Sequence, residues 1–190
     1  MYTPNALYRP WLRDLVWMTG ATFVAALSAA LALRIQSYYL VLFAIACAAF
    51  AWKHYRSYRV RVFGKRLEKR AQKALKRAFK RSRFRVQCNV PCPSGGDIDA
   101  LLVSANHRCA IEIKSWHGLR PGKGGLVKLN GQPLNKDPAA QTRREASSIG
   151  ARAVLWMPLS KREKAFVYQG VLVIMGRERF LKRIIERSLS

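Results

Sequence analysis

Two short apolar stretches that carry acids restrict the fold of this 190-residue chain more than any other feature. Gly96-Asp97-Ile98-Asp99-Ala100-Leu101-Leu102-Val103 and Cys109-Ala110-Ile111-Glu112-Ile113-Lys114 each read as a short strand. Ser104 to Arg108 between them, centred on Asn106, reads as a hairpin turn. Side chains alternate along a strand, so Asp97 and Asp99 share one face, as do Glu112 and Lys114. Pairing through the turn brings Asp99 beside Glu112, with Lys114 one step along. Two carboxylates and a lysine converging at the end of a small sheet have the chemistry to hold a divalent cation and orient a water. The competing reading makes Glu112 and Lys114 a solvated charge pair on an edge strand. Against it, both stretches are otherwise nearly all apolar, and ionisable groups in buried strands are costly.

An acid, a gap, then Glu-x-Lys on an apolar strand resembles the PD-(D/E)XK nuclease superfamily. The closer resemblance is to the nuclease-related (NERD) domain, carried by Gly96-Asp97-Ile98-Asp99, Asn106, Ile111-Glu112-Ile113-Lys114, Trp116 and Gly118. It covers roughly residues 64–175. The implied fold class is α/β, a restriction-endonuclease-like mixed sheet flanked by helices. The resemblance also implies a first-helix Glu at the metal site, which Glu68 matches with Ala71 at +3 and Leu75 at +7. The family often has Gly before that Glu; here it is Leu67, with Gly64 upstream. Pairing of Glu68 with Gln72 or nearby Lys and Arg is the alternative role. Asp137-Pro138 opens a helix through about Arg152, with Asp as N-cap and Pro as first residue. The family has a Gln shortly after such a start, so Gln141 is implied to face the active site; a polar surface Gln is the other reading.

The rest of the chain divides by charge. Lys and Arg number 35 against 10 Asp and Glu, a net of +25, which calls for an anionic partner such as nucleic acid or anionic lipid. Residues 1–52 hold only Arg9, Arg13, Arg34 and Asp14, so residues 53–190 carry a net of +23. Leu15 to Leu33 is 19 residues without a charge, and Ile35 to Trp52 is 18 more. Each is close to the ~20 residues a helix needs to cross a bilayer. The small residues of the first stretch let two helices pack closely. The expectation is a two-helix transmembrane hairpin over 15–33 and 35–52, following a cytoplasmic segment 1–14. A cleaved signal peptide and a water-soluble hairpin are the rivals for these stretches. Lys53, Arg56, Arg59, Arg61, Lys65 and Arg66 crowd the exit of the second stretch, which places both ends in the cytoplasm by the positive-inside rule. Such a multi-pass chain suits a bacterial inner membrane.

Residues 53–83 are expected to form a basic linker and first helix, and 84–190 the nuclease-like core. Within 65–83, Leu67, Ala71, Ala74, Leu75, Ala78 and Phe79 make an apolar stripe, while ten basic residues crowd the remainder. Lys69, Arg70, Lys73, Lys76, Arg77 and Lys80 are the candidate nucleic-acid contacts. Lying against anionic lipid is the alternative for this basic face. Arg83–Val90 reads as a strand, and Val127–Leu129 with Gln132–Leu134 as a small hairpin turned at Asn130-Gly131. Phe166–Met175 reads as one central strand and Arg177–Leu189 as an amphipathic helix. The spacing of Cys88, Cys92, His107 and Cys109 fits no standard zinc pattern, so small buried thiols are the better reading.

Together these readings give a membrane-anchored nuclease that uses Mg²⁺ or Mn²⁺, with DNA the expected substrate. Asp99, Glu112, Lys114 and Gln141 are its expected catalytic residues. Its expected metal ligands are Asp99, Glu112, the Ile113 carbonyl and Glu68, with Asp97 as fallback. The alternative is a catalytically inactive, membrane-tethered protein that binds nucleic acid or assembles with partners. A lipid-adhesion device docking membrane partners is a third reading.

Overall fold

The computed structural model describes residues 10–93, 95–122, 125–129, 131, 134 and 136–189. The chain divides into two compact units, Met1–Lys65 and Arg66–Ser190. Most of the expected N-terminal segment 1–14 lies outside the described residues.

In the first unit, α1 (Pro10–Ile35) is followed by the start of α2 (Tyr38–Ala78) after a turn in which Gln36 has φ +48°. The two helices run antiparallel. Trp17 meets Phe50 edge-on at 6.1 Å, and the buried Asp14 carboxylate takes contacts from His54, Ser57 and Arg61. The stretch Trp11–Ile35 is long and apolar enough to cross a membrane. The second expected span differs from the sequence reading. It begins at Tyr38 rather than Ile35 and runs past Lys53 without a break into the basic segment. No Pro interrupts residues 38–78, so nothing ends the helix where the apolar stretch does. Among the described residues, only α1 meets the length and apolarity of a span.

The second unit is built on a six-stranded sheet in the order β1-β2-β3-β6-β8-β7. Its strands are β1 (Arg85–Pro91), β2 (Asp97–Val103), β3 (Arg108–Ile113), β6 (Arg152–Met157), β7 (Lys164–Tyr168) and β8 (Val171–Met175). The first three form an antiparallel meander, β3, β6 and β8 are parallel, and β7 closes the far edge antiparallel to β8. A two-stranded ribbon, β4 (Leu119–Gly122) with β5 (Gly125–Lys128), and helix α3 (Pro138–Ser148) bridge β3 to β6. Helix α4 (Glu178–Ser188) ends the unit. The mixed α/β class expected from the sequence is what the chain forms.

Two apolar layers cover the sheet. On one face Ala71, Leu75 and Phe79, spaced by four, pack with Leu181 and Ile185 of α4 on Leu102, Ile111 and Trp156. Burying side chains such as Leu75 and Phe79 contributes ~1.5–3 kcal/mol each. On the other face Ala139 and Ala146 of α3, with Leu119 and Leu126 of the ribbon, cover Leu101, Ala110 and Leu155. Helix α3 starts as the sequence predicts: Asp137 caps it, accepting from the Ala139 N–H at 2.9 Å, and Pro138 opens it.

Three elements depart from the sequence reading. Phe166–Met175 is not one strand but two, because Gln169 and Gly170 both take positive φ and reverse the chain between β7 and β8. The helix expected to reach Arg152 stops at Ser148, and Gly150 at φ +62° turns the chain into β6, a strand the periodicity did not reveal. Val127 and Lys128 pair with Arg120 and Leu119 of β4, a partner the sequence reading did not give them; Asn130, Gln132 and Pro133 of the expected hairpin lie outside the described residues.

Candidate active site

The β2–β3 register sets the site. Ala100 pairs with Ile111 at the last paired step, and Asp99 and Glu112 are the next residues beyond it on the two strands. The Glu112 side chain shares its face of β3 with Ala110, the face that α3 covers. At this end of the pair an Asp99 side-chain bond meets the neighbouring strand: its Oδ2 accepts from the Ile113 N–H at 2.7 Å. Burial pushes the Asp99 carboxyl up to about 7, Glu112's negative charge adds to the push, and the Ile113 N–H partly offsets it. Asp97, on the same alternation, is exposed opposite Pro91.

Glu112 is 6% exposed. Burial raises its pKa, Lys114 lowers it, and the charges of Glu145 and Glu68 raise it further. The Lys114 Nζ donates to Glu112 Oε1 at 2.5 Å, so the two charges expected on one face of β3 form an ion pair rather than a solvated edge. Lys114 follows β3, and its N–H donates to the Trp156 carbonyl on β6, which holds the chain in line past the end of the strand.

From α2, Glu68 reaches this site through Gln72. The buried Gln72 amide nitrogen donates to Glu68 Oε1 at 3.1 Å, Asn89 Oδ1 at 2.7 Å and the Asp99 carbonyl at 2.9 Å. Asn89 lies between Cys88 and Val90, which pair with Ala100 and Ile98, and takes φ +53°, a conformation Asn adopts more readily than most residues. Glu68 thus makes its alternative pairing with Gln72 while its charge still raises both Asp99 and Glu112. Ile113 is tied to Asp99 through its N–H.

On the α3 side, Gln141 donates to Glu145 Oε1 at 2.9 Å. Gln141 also lines a pocket of about 350 Å³ with Lys114, Trp116, Lys128 and Lys136. Glu145, 5% exposed, is the site residue that sequence reasoning missed. Its signal was present: it lies four residues after Gln141, on the same face of the helix. Lys128 and Lys136 were missed as well, because only the ribbon and the approach to α3 bring them to Lys114.

Lys69, Arg70, Lys73, Lys76, Arg77 and Lys80 are all exposed, on the side of the helical segment away from buried Ala71, Leu75 and Phe79. Among the described residues no three His, Cys, Asp or Glu side chains are grouped so as to hold a metal by themselves. Cys109 is instead a buried thiol that desolvation pushes up to about 11, and Cys92 Sγ lies 3.1 Å from Ser148 Oγ.

Comparison with curated proteins and with solved structures gave no match. The family model described as "Nuclease-related domain" (NERD) matches residues 63–174. That span starts just before Glu68 and ends in β8, so it takes in every carboxylate that acts on Glu112, and more than half the chain. The chain belongs to the nuclease-related domain family.

Proposed function

We propose that this protein is a divalent-metal-dependent phosphodiesterase acting on nucleic acid, with DNA the expected substrate, in the manner of PD-(D/E)XK nucleases. The observation that carries this is the pair Asp99–Glu112: two carboxylates on adjacent strands, removed from water, each held above its ordinary pKa. Like charges crowded in a low dielectric are costly alone and favourable around a cation. Their oxygen donors suit Mg²⁺ or Mn²⁺, with the Ile113 carbonyl and Glu68 completing the expected set. Such an ion, when bound, supplies Lewis acidity that activates water and neutralises phosphate charge.

The chain's own groups do the rest. The Ile113 N–H fixes the Asp99 carboxylate in orientation. The Lys114 ammonium, parked on Glu112, is positioned to stabilise charge gained by the phosphate or to orient the attacking water. Glu145 anchors Gln141 beside Lys114, where its amide can meet substrate. The exposed basic residues from Lys69 to Lys80 supply sequence-independent attraction for the phosphate backbone. Helix α1 anchors the protein in a membrane, with the catalytic domain on the cytoplasmic side of a bacterial inner membrane. Supporting this, Phe23, Leu27 and Leu33 stand exposed along an apolar helix.

The test is cleavage of single-stranded DNA, duplex DNA and RNA by the full chain in detergent, with Mg²⁺, Mn²⁺ or EDTA. Metal-dependent cleavage, abolished in Asp99→Ala and lowered by orders of magnitude in Lys114→Ala, is the expected result. Salt-sensitive binding with no cleavage under any metal would establish the second reading, a tethered binding protein. The closed Lys114–Glu112 pair is the observation favouring that one.

A further inference from the structure

The pocket beside Lys114 has a composition that general phosphate attraction does not require. Lys114, Lys128 and Lys136 line it, and none of the described residues lining it is acidic. In a site otherwise crowded with carboxylates, this is the cationic side. Trp116, half-buried, forms part of the same wall, and Leu134 adds apolar surface. At about 350 Å³ the pocket falls in the ~300–1,000 Å³ range of small-molecule sites. A flat aromatic wall, ammonium groups and one amide from Gln141 match a nucleotide: a base face, phosphates and a base edge.

A base inside a duplex cannot enter such a pocket, because its faces are covered by its neighbours and its edge by its partner. Building on the nuclease reading, we propose that this pocket takes one unstacked nucleotide of a single strand, with its base against Trp116 and its phosphates on Lys128 and Lys136. The next phosphate along then falls at Lys114, beside Asp99 and Glu112. The substrate class is accordingly single-stranded nucleic acid, or the frayed end or gap of a duplex. The stacking wall tolerates every base, so preference among bases is weak.

The experiment measures binding of a fluorescent oligothymidylate, and of the same strand annealed to oligodeoxyadenylate, to the full chain in detergent with EDTA. The wild type should bind the single strand about tenfold more tightly than the duplex, the size of one base–aromatic stack. Trp116→Leu should lose about that factor on the single strand while keeping duplex affinity, which also reports that the variant is folded. Trp116→Phe should retain most of the preference, because phenylalanine still stacks. Lys128→Gln should weaken single-strand binding and flatten its salt dependence.

Equal affinity for the two forms, or single-strand binding unchanged in Trp116→Leu, overturns the proposal. Loss of preference in both Trp116→Leu and Trp116→Phe overturns the stacking role. The two levels separate cleanly. Metal-dependent cleavage without strand preference removes the subsite and leaves the nuclease. Strand preference sensitive to Trp116 without cleavage removes the nuclease and leaves the subsite.

Discussion

Replacing Asp99 by Asn should stabilise the metal-free protein at neutral to alkaline pH, although it destroys the site. Asp99's carboxyl is moved from its ordinary 3.8 to about 7 by burial and by Glu112's charge. Below about pH 4 it is protonated in folded and unfolded chains alike and makes no difference between them. Between about pH 4 and 7 the unfolded chain releases the proton while the folded chain keeps it, so stability falls as pH rises. Above about pH 7 the whole loss is present, on the order of 4 kcal/mol. Asn is neutral throughout, and its side-chain oxygen can still accept from the Ile113 N–H. In EDTA at about pH 8, Asp99→Asn should therefore melt roughly 10 °C above wild type by near-UV circular dichroism, with the two converging towards about pH 4. Adding Mg²⁺ should raise the wild-type melting temperature and leave the variant's nearly unchanged, since only a state that binds the ion gains from it. Parallel pH profiles, or an Asn variant less stable than wild type at about pH 8, would refute the claim that Asp99 is a destabilised carboxylate waiting for a cation.

Lys114→Ala leaves Glu112 buried without its ammonium, so cleavage should fall by ~10²–10⁴-fold in single-turnover assays, with duplex binding little changed. Neutralising Lys69, Lys73, Lys76 and Lys80 to Gln should lower the slope of log affinity for duplex DNA against log salt by up to about 3–4, measured by fluorescence anisotropy. An unchanged slope would assign that face to lipid rather than nucleic acid. Gly118 has φ +150°, and a Cβ there would meet Leu129 Cδ1 at 2.6 Å and Met175 Sδ at 2.8 Å. Gly118→Ala should therefore cost ~1–3 kcal/mol in a denaturant melt.

The strands bearing Asp99 and Glu112 were legible because apolar residues interrupted by charged residues at a spacing of two admit few other readings. Asp137-Pro138 was legible because capping is a local matter. What escaped notice depended on partners distant in sequence. The Arg152–Met157 strand is buried between two parallel neighbours, so it shows a continuous apolar run rather than alternation. The long helix α2 escaped because a drop in hydropathy near Lys53 resembles a boundary while helical propensity continues through it. Glu145 stands four residues after Gln141, but only the packing of α3 over β3 brings its charge to bear on Glu112.

Uptake of Mn²⁺ by the full chain, followed by electron paramagnetic resonance in wild type, Asp99→Asn and Glu112→Gln, bears most directly on whether these two carboxylates share a cation. Wild type should quench the signal of about one ion per chain, and each variant should lose that uptake. Equal uptake by all three proteins, or none by wild type, would contradict a metal centre at Asp99 and Glu112.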